Sequence, residues 1–271
     1  MFAIRKTLIT GVALLAVGVS GANAADLNGR GSLKDPPPAY VPSVATQPSW
    51  YARMDFAFAT HDAPVMVENG TMDLTSERID DTWSFGGGIG RRFTTNIRGD
   101  LTYERRFEAD ASGNLSVGTL PGTRSFGLSS DLFLANVYYD FNEGGRFVPY
   151  LGVGLGFVRH KASAGVVTPN TPCGCAGTID EETKWSVAGA FMAGVSIALK
   201  QRSYDYGSFK HGGFSRFAGK ALHLDLGYRF LYLGDATTGA VRQSGTSISQ
   251  DPTVEDLHAH EFRVGLRYEL N

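Results

Sequence analysis

Residues 261–270 read Glu-Phe-Arg-Val-Gly-Leu-Arg-Tyr-Glu-Leu, with apolar and polar residues in strict alternation. Successive side chains of a β-strand point to opposite faces, so this stretch predicts a strand with one apolar and one polar face. The polar face carries charges of both signs. A strand of this kind separates two different environments, and the rest of the chain shows how many such strands there are.

The same period of two recurs along the chain from Trp50 onward. Eight segments show it: 50–58, 82–91, 97–107, 128–141, 148–159, 183–199, 221–232 and 258–270. The fourth segment is the least regular, because Leu132 and Leu134 fall where the alternation calls for polar residues. An even number of strands suits an antiparallel barrel with both chain ends on one side.

The connections between these segments alternate in length. Four of them are irregular polar stretches of about 20 residues: 60–81, 108–127, 161–182 and 233–257. Short turns join the other strands at 92–96 and 142–147, whereas the link 200–218 is long, basic and aromatic and fits neither type. Long loops at one end and tight turns at the other are typical of an outer-membrane barrel, whose long loops face outward.

The apolar face has to lie outside. Soluble lipocalins also have eight up-and-down strands, but here that arrangement would enclose Trp50, Trp83 and Trp185 in a barrel only wide enough for side chains to fill. We therefore predict an all-β fold, an eight-stranded antiparallel up-and-down transmembrane β-barrel. Its predicted polar lumen network comprises Arg53, Asp55, Arg98, Asp100, Glu104, Arg106, Asp225, Arg229, Glu261, Arg263, Arg267 and Glu269.

The composition excludes several classes of protein. The 271 residues carry 25 Lys+Arg against 27 Asp+Glu, and this net charge of −2 argues against a nucleic-acid partner. Two Cys cannot build a disulfide scaffold. The 34 Gly are well above the usual ~7%, and many of them lie within predicted strands.

The first 24 residues predict a cleaved Sec signal peptide. Arg5 and Lys6 precede an apolar stretch from Leu8 to Val19, and an Ala-x-Ala site ends at Ala24. Residues 25–49 hold five Pro and predict an extended leader, and residues 50–271 form the barrel domain. The longest uncharged apolar stretch after Ala24 runs from 185 to 199, too short for a membrane-spanning helix.

Several segments resemble the opacity-type outer-membrane β-barrel family, and in particular the surface porin-like proteins of alpha-proteobacteria. They are Asn-Val-Tyr-Tyr-Asp-Phe at 136–141, Val-Pro-Tyr-Leu-Gly-Val-Gly-Leu-Gly at 148–156 and the Ala-Asp-Leu start at 25–27. The resemblance implies a monomeric outer-membrane barrel without catalytic residues, whose surface loops serve adhesion, immune exposure or envelope integrity. The sequence differs from this family at Asn271, because such barrels end on an aromatic residue that the assembly machinery recognises.

Three groups of residues are candidates for chemistry. The lumen charges predict a structural network rather than an ion path, because buried charges must be paired. Cys173 and Cys175 favour a disulfide in an exported protein, with a metal or redox role as the alternative. His258 and His260 share one strand face near the outer rim; solvated histidines are favoured over a Ser/His pair of the kind used by barrel enzymes that modify lipid A.

The prediction for function is therefore a surface protein of the Gram-negative outer membrane that is not an enzyme and takes no metal or cofactor. Its expected partners are outer-membrane lipid and lipopolysaccharide, the barrel-assembly machinery, and host or surface ligands reached through 60–81, 108–127, 161–182 and 233–257. The alternatives are a small passive channel and a lipid A-modifying enzyme.

Overall fold

A computed structural model describes residues 49–270 apart from 63, 69–71, 117–119, 142–145, 171–175, 201–221 and 250–251. The predicted signal peptide 1–24, the leader up to residue 48, Cys173, Cys175, most of the link 200–218 and Asn271 lie outside the described residues. None of the described residues forms a helix long and apolar enough to cross a membrane.

Eight long antiparallel strands close into a barrel, as predicted. Labelled along the chain, they are β1 (Ser49–His61), β2 (Thr82–Arg92), β3 (Ile97–Leu115), β4 (Gly122–Asp140), β5 (Phe147–Ala162), β6 (Glu182–Lys200), β7 (Leu222–Tyr232) and β8 (His258–Glu269). Each strand pairs with its neighbour in sequence, and β8 pairs with β1 to close the ring. The short turn between β2 and β3 and the long connections lie at opposite ends of the strands, which we call the short-turn end and the long-loop end.

The alternation places the apolar side chains on the outside of the barrel. Met54, Leu155 and Phe262 are among the most exposed, at 58%, 71% and 64%, whereas their strand neighbours on the other face are mostly buried. Burying such an outer surface requires an apolar surrounding, since exposing it to water would cost about 25 cal/mol for each Å². The prediction of an apolar outer face is confirmed.

The expectation of a loop at 108–127 is wrong, because β3 and β4 extend through it as a hairpin with a connection at 116–121. The register shifts between Arg106 and Ala109, and this bulge exchanges the two faces of β3. Between the short-turn end and the bulge most inward positions are charged; beyond the bulge they include Ala109, Ala111 and Leu115, all buried. The alternation is kept but inverted, which is why the sequence pattern did not mark it as strand.

The other long connections are also not irregular. They contain the short strands Val65–Glu68, Met72–Asp73, Thr75–Ile79, Gly165–Pro169, Gly177–Ile179, Ala236–Thr237, Val241–Gln243, Thr246–Ser249 and Thr253–Glu255. Together with the extended β3–β4 hairpin they form what we call the cap, the described residues of 62–81, 109–128, 163–181 and 233–257. The cap has its own buried apolar residues, including Met66, Phe126, Val167 and Val241.

Leu132 and Leu134, the irregular positions of the fourth segment, face the interior of the barrel. They are 1% and 2% exposed and belong to an apolar cluster with Val158 and Ala190. One sector of the interior is therefore apolar, whereas the sequence analysis expected a polar lumen. The charges occupy the opposite sector, mainly on β1, β3, β7 and β8.

Candidate functional site

The charged sector of the lumen is the candidate site, and Arg229 lies at its centre. The Arg229 guanidinium is fully buried and donates to both oxygens of Glu104, at 2.8 and 2.5 Å, and to Glu261 at 2.6 Å. Arg263 donates to Glu104 at 2.7 Å, and Arg106 donates to Glu261. Three cations thus share two carboxylates contributed by three strands, so the network joins β3, β7 and β8 across the barrel.

A second group of contacts surrounds Arg53 and Asp100. Arg53 binds Asp55 on its own strand at 2.7 and 2.8 Å, and donates from Nη1 to Asp100 and to the Tyr138 hydroxyl, each at 2.9 Å. The amide of Asn136 donates to Asp100 at 2.8 Å. Charge-assisted bonds of this length are about twice as strong as neutral ones, so Asp100 joins its own strand, β3, to β1 and β4.

The network continues to the short-turn end through Arg98 and Arg267. Arg98 donates from Nε to Asp140 at 3.0 Å and stacks on the Tyr138 ring at 4.1 Å, and its two Nη atoms have no hydrogen-bond partner within the described part of the chain. Arg267 donates to Asp225 at 3.2 Å and to the Ser196 hydroxyl at 2.7 Å.

All twelve predicted lumen residues are buried, at 7% exposure or less. Sequence analysis missed Arg92 and Asp140, which form a 3.3 Å ion pair at the short-turn end. Extending the alternation one position beyond the second segment would have found Arg92. With these two, the described lumen contains seven arginines, at 53, 92, 98, 106, 229, 263 and 267, and seven carboxylates, at 55, 100, 104, 140, 225, 261 and 269.

The charged sector is therefore neutral overall and tightly filled. Two glycines lie against the Tyr150 hydroxyl in the crowded lumen: a Cβ at Gly194 or Gly227 would be 2.6 or 2.5 Å from it, so a larger residue would require Tyr150 to move. A cavity of about 10 Å³ at the boundary with the cap, lined in part by His61, Arg106 and Ser130, has room for roughly one water molecule.

A Ser–His pair that the sequence did not indicate lies inside the barrel. The Ser130 hydroxyl is 2.8 Å from His160 Nδ1, and His160 Nε2 is 2.9 Å from the carbonyl oxygen of Leu233. Because Nε2 must then carry the proton, Nδ1 accepts from Ser130. The two side chains are 4% and 1% exposed, and this pair ties β4 and β5 to the start of the last long connection.

His258 and His260 are on the outer wall, where they contact a carboxylate instead of a serine. The Nε2 atom of each lies 3.2 Å from Asp62 Oδ2, and His260 Nδ1 is 2.5 Å from the Tyr228 hydroxyl. Within the described ranges no three His, Cys, Asp or Glu side chains are arranged to hold a metal ion. The two histidines therefore hold the connection after β1 against β8.

Comparison with protein families gives a match over most of the chain. The family model described as "Outer membrane protein beta-barrel domain" matches residues 12–230. Uncharacterized proteins of Brucella abortus strain 2308 and Brucella suis biovar 1 are each 27% identical and cover 94% of this chain and 95% of their own length.

Two solved structures are similar over most of their length. Neisserial surface protein A is 18% identical, covering 81% of this chain and 97% of its own, with a TM-score of 0.42. OprG from Pseudomonas aeruginosa is 12% identical, covering 82% and 96%, with a TM-score of 0.46.

Proposed function

Because the chain belongs to the outer membrane protein β-barrel domain family, we propose that it is a surface protein with a filled lumen that serves adhesion or envelope integrity. In this proposal the cap faces the cell exterior and the short-turn end faces the periplasm. A Sec signal at 1–24 exports the chain, the barrel-assembly machinery inserts it, and it acts as a monomer.

One observation carries the proposal: the lumen is filled by paired charges and covered by a cap whose buried apolar residues form one cluster with those of the barrel interior. A solute path would have to part the Arg229–Glu104–Glu261 contacts, each of which is fully or almost fully buried. An eight-stranded barrel has interior space for side chains and little else. The exposed side of the cap is then the part available to partners, through its described stretches in 60–81, 108–127, 161–182 and 233–257.

The lumen contacts also argue against the passive channel, and conductance measures this directly. The purified full-length chain, inserted in a planar lipid bilayer, is expected to give no stable conductance steps. A porin inserted in the same bilayer serves as the control for membrane quality. Reproducible steps of uniform size would contradict the filled lumen.

We also propose that the protein is not an enzyme. A lipid A-modifying enzyme of the Ser/His type needs that pair at the lipid surface, whereas Ser130 and His160 are buried within the barrel. The exposed His258 and His260 contact Asp62 and Tyr228 instead of a serine. These placements support a role in which the protein binds rather than converts.

The function is tested by deleting the gene and restoring variants of it. Loss of the protein is expected to lower attachment to surfaces or to raise sensitivity to detergents. Whichever of the two changes, the wild-type chain should restore it. Glu68→Gln should restore less, because Glu68 and Arg124 form a buried pair at 2.6 and 3.0 Å that holds two parts of the cap together.

The control for that experiment is Arg91→Gln, which changes an exposed arginine at the short-turn end, away from the cap, and should restore fully. A deletion that changes only the uptake of small solutes would contradict the proposal and favour the channel.

A further inference from the structure

A row of charged side chains lies on the outer wall, at the edge of the apolar band nearer the long-loop end. Cross-strand pairing places Arg105 beside Asp131, Asp131 beside Arg159, and Arg159 beside Trp185, in one row across β3 to β6. The next outward row below it consists of Tyr103, Phe133, Phe157 and Val187, all between 42% and 61% exposed. Charged side chains therefore begin where the apolar surface ends.

Asp131 holds the two guanidinium groups in place. It accepts from Arg105 Nη1 at 2.9 Å, from Arg159 Nη2 at 2.6 Å and from the Tyr103 hydroxyl at 3.0 Å. The Asp131 side chain is only 6% exposed, whereas those of Arg105 and Arg159 are 40% and 48% exposed. One covered carboxylate thus fixes two outward-facing cations and leaves them with a net positive charge.

A recess of about 500 Å³ adjoins these groups toward the long-loop end. Arg159, Lys161 and residues 181–183 line it, and Lys161 is 3.7 Å from Glu181. On the opposite side of Arg159 from Lys161, the aromatic rings of Tyr103 and Phe133 are 5.0 Å apart, and those of Phe133 and Trp185 are 6.2 Å apart. The recess is therefore polar, its lining combining Arg159 and Lys161 with the carboxylates of Glu181 and Glu182, and it borders rings that face lipid.

The two arginines lie at the edge of the apolar band, at the depth of lipid headgroups. Arginine on the lipid face of a barrel is costly at the midplane but tolerated at the interface. Guanidinium groups bind phosphate through paired hydrogen bonds, and aromatic rings are favoured at the depth of lipid headgroups. A ligand that matches this surface has a phosphate group that meets the arginines and acyl chains that lie along the apolar band.

We propose that Arg105, Asp131 and Arg159 form a clamp for the phosphate of a phosphorylated lipid headgroup in the outer leaflet, with Lys161 and the recess receiving the rest of that headgroup. The acyl chains of the lipid lie against Tyr103, Phe133 and Phe157. The proposal rests on the proposed outward orientation of the cap, and it names a lipid partner for the outer wall independently of any role in adhesion.

The test measures binding of diphosphorylated lipid A to the full-length chain in detergent by native mass spectrometry. The wild-type protein is expected to retain it at least roughly tenfold better than dephosphorylated lipid A, because each hydrogen bond between a guanidinium group and the phosphate adds to the affinity. Equal retention of the two lipids would overturn the proposal, and this comparison needs no variant.

Substitution locates the site. Arg105→Gln combined with Arg159→Gln should weaken retention of the phosphorylated lipid by at least roughly tenfold. The matched control is Arg242→Gln, which removes an equally exposed arginine in a pair with Asp180 on the cap and should leave retention unchanged. Unchanged binding by the double variant would overturn the proposal.

Inorganic phosphate distinguishes a lipid from a free anion. Millimolar phosphate should compete only weakly, since it lacks contacts with the rings, and full displacement at that concentration would overturn the assignment to a lipid. Failure of the adhesion and integrity tests with intact lipid A binding would remove the proposed function and leave the clamp standing.

Discussion

Replacing Gly156 with Ala is expected to prevent most of the protein molecules from forming a closed barrel. A Cβ at this position of β5 would overlap the carbonyl oxygen of Phe133 and lie 2.9 and 3.0 Å from the Phe133 carbonyl carbon and the Leu134 Cα. Overpacking against side chains costs roughly 1–3 kcal/mol. Here the clash is with main chain that pairs with β5, so the expected cost is above that range.

The measurement is migration on a gel with and without boiling, since folded outer-membrane barrels resist denaturation in the cold and shift on heating. Gly156→Ala should show little of the folded band after refolding. Gly189→Ala on β6 is the matched control, because a Cβ there meets only Leu155 Cδ2 at 3.9 Å, an ordinary contact. Equal folded fractions for both variants would contradict the expectation.

The high glycine content thus has a partly structural cause that the sequence could only suggest. Alternation predicted all eight barrel strands and assigned the apolar face to lipid, because the lipid and the lumen impose opposite demands on neighbouring residues. It could not show that Gly156 abuts Phe133, because the register between strands depends on all eight strands closing together.

The same limit explains where the sequence interpretation was wrong. At 109–115 the outward face meets water and the inward face meets buried apolar residues of the cap. The strand therefore has its polar face outside, the reverse of the pattern expected for a strand in lipid. Leu132 and Leu134 look misplaced in isolation, and their burial depends on facing Val158 and Ala190 from other strands. Ser130 and His160 are 30 residues apart and meet only through the pairing of β4 with β5.

Replacing Arg229 with Met is expected to lower the free energy of unfolding by roughly 3–5 kcal/mol, the usual cost of removing one partner from a buried ion pair. Methionine is close in length and leaves the lumen filled, so the loss is electrostatic. Without Arg229, the ion pairs left to the two carboxylates among the described residues are Glu104 with Arg263 and Glu261 with Arg106. The measurement is chemical unfolding in lipid vesicles followed by tryptophan fluorescence.

The neutral double variant Arg229→Met with Glu104→Gln should recover much of that loss, because Arg106 still pairs with Glu261 and Arg263 lies 3.4 Å from Asp55. Replacing both members of a buried pair is often close to neutral. Arg78→Met, in an exposed pair, is the control and should leave unfolding unchanged.

A lumen that serves as an ion path would respond differently to Arg229→Met, because the substitution would open the path. Stable conductance by this variant with little loss of stability would therefore contradict a structural network.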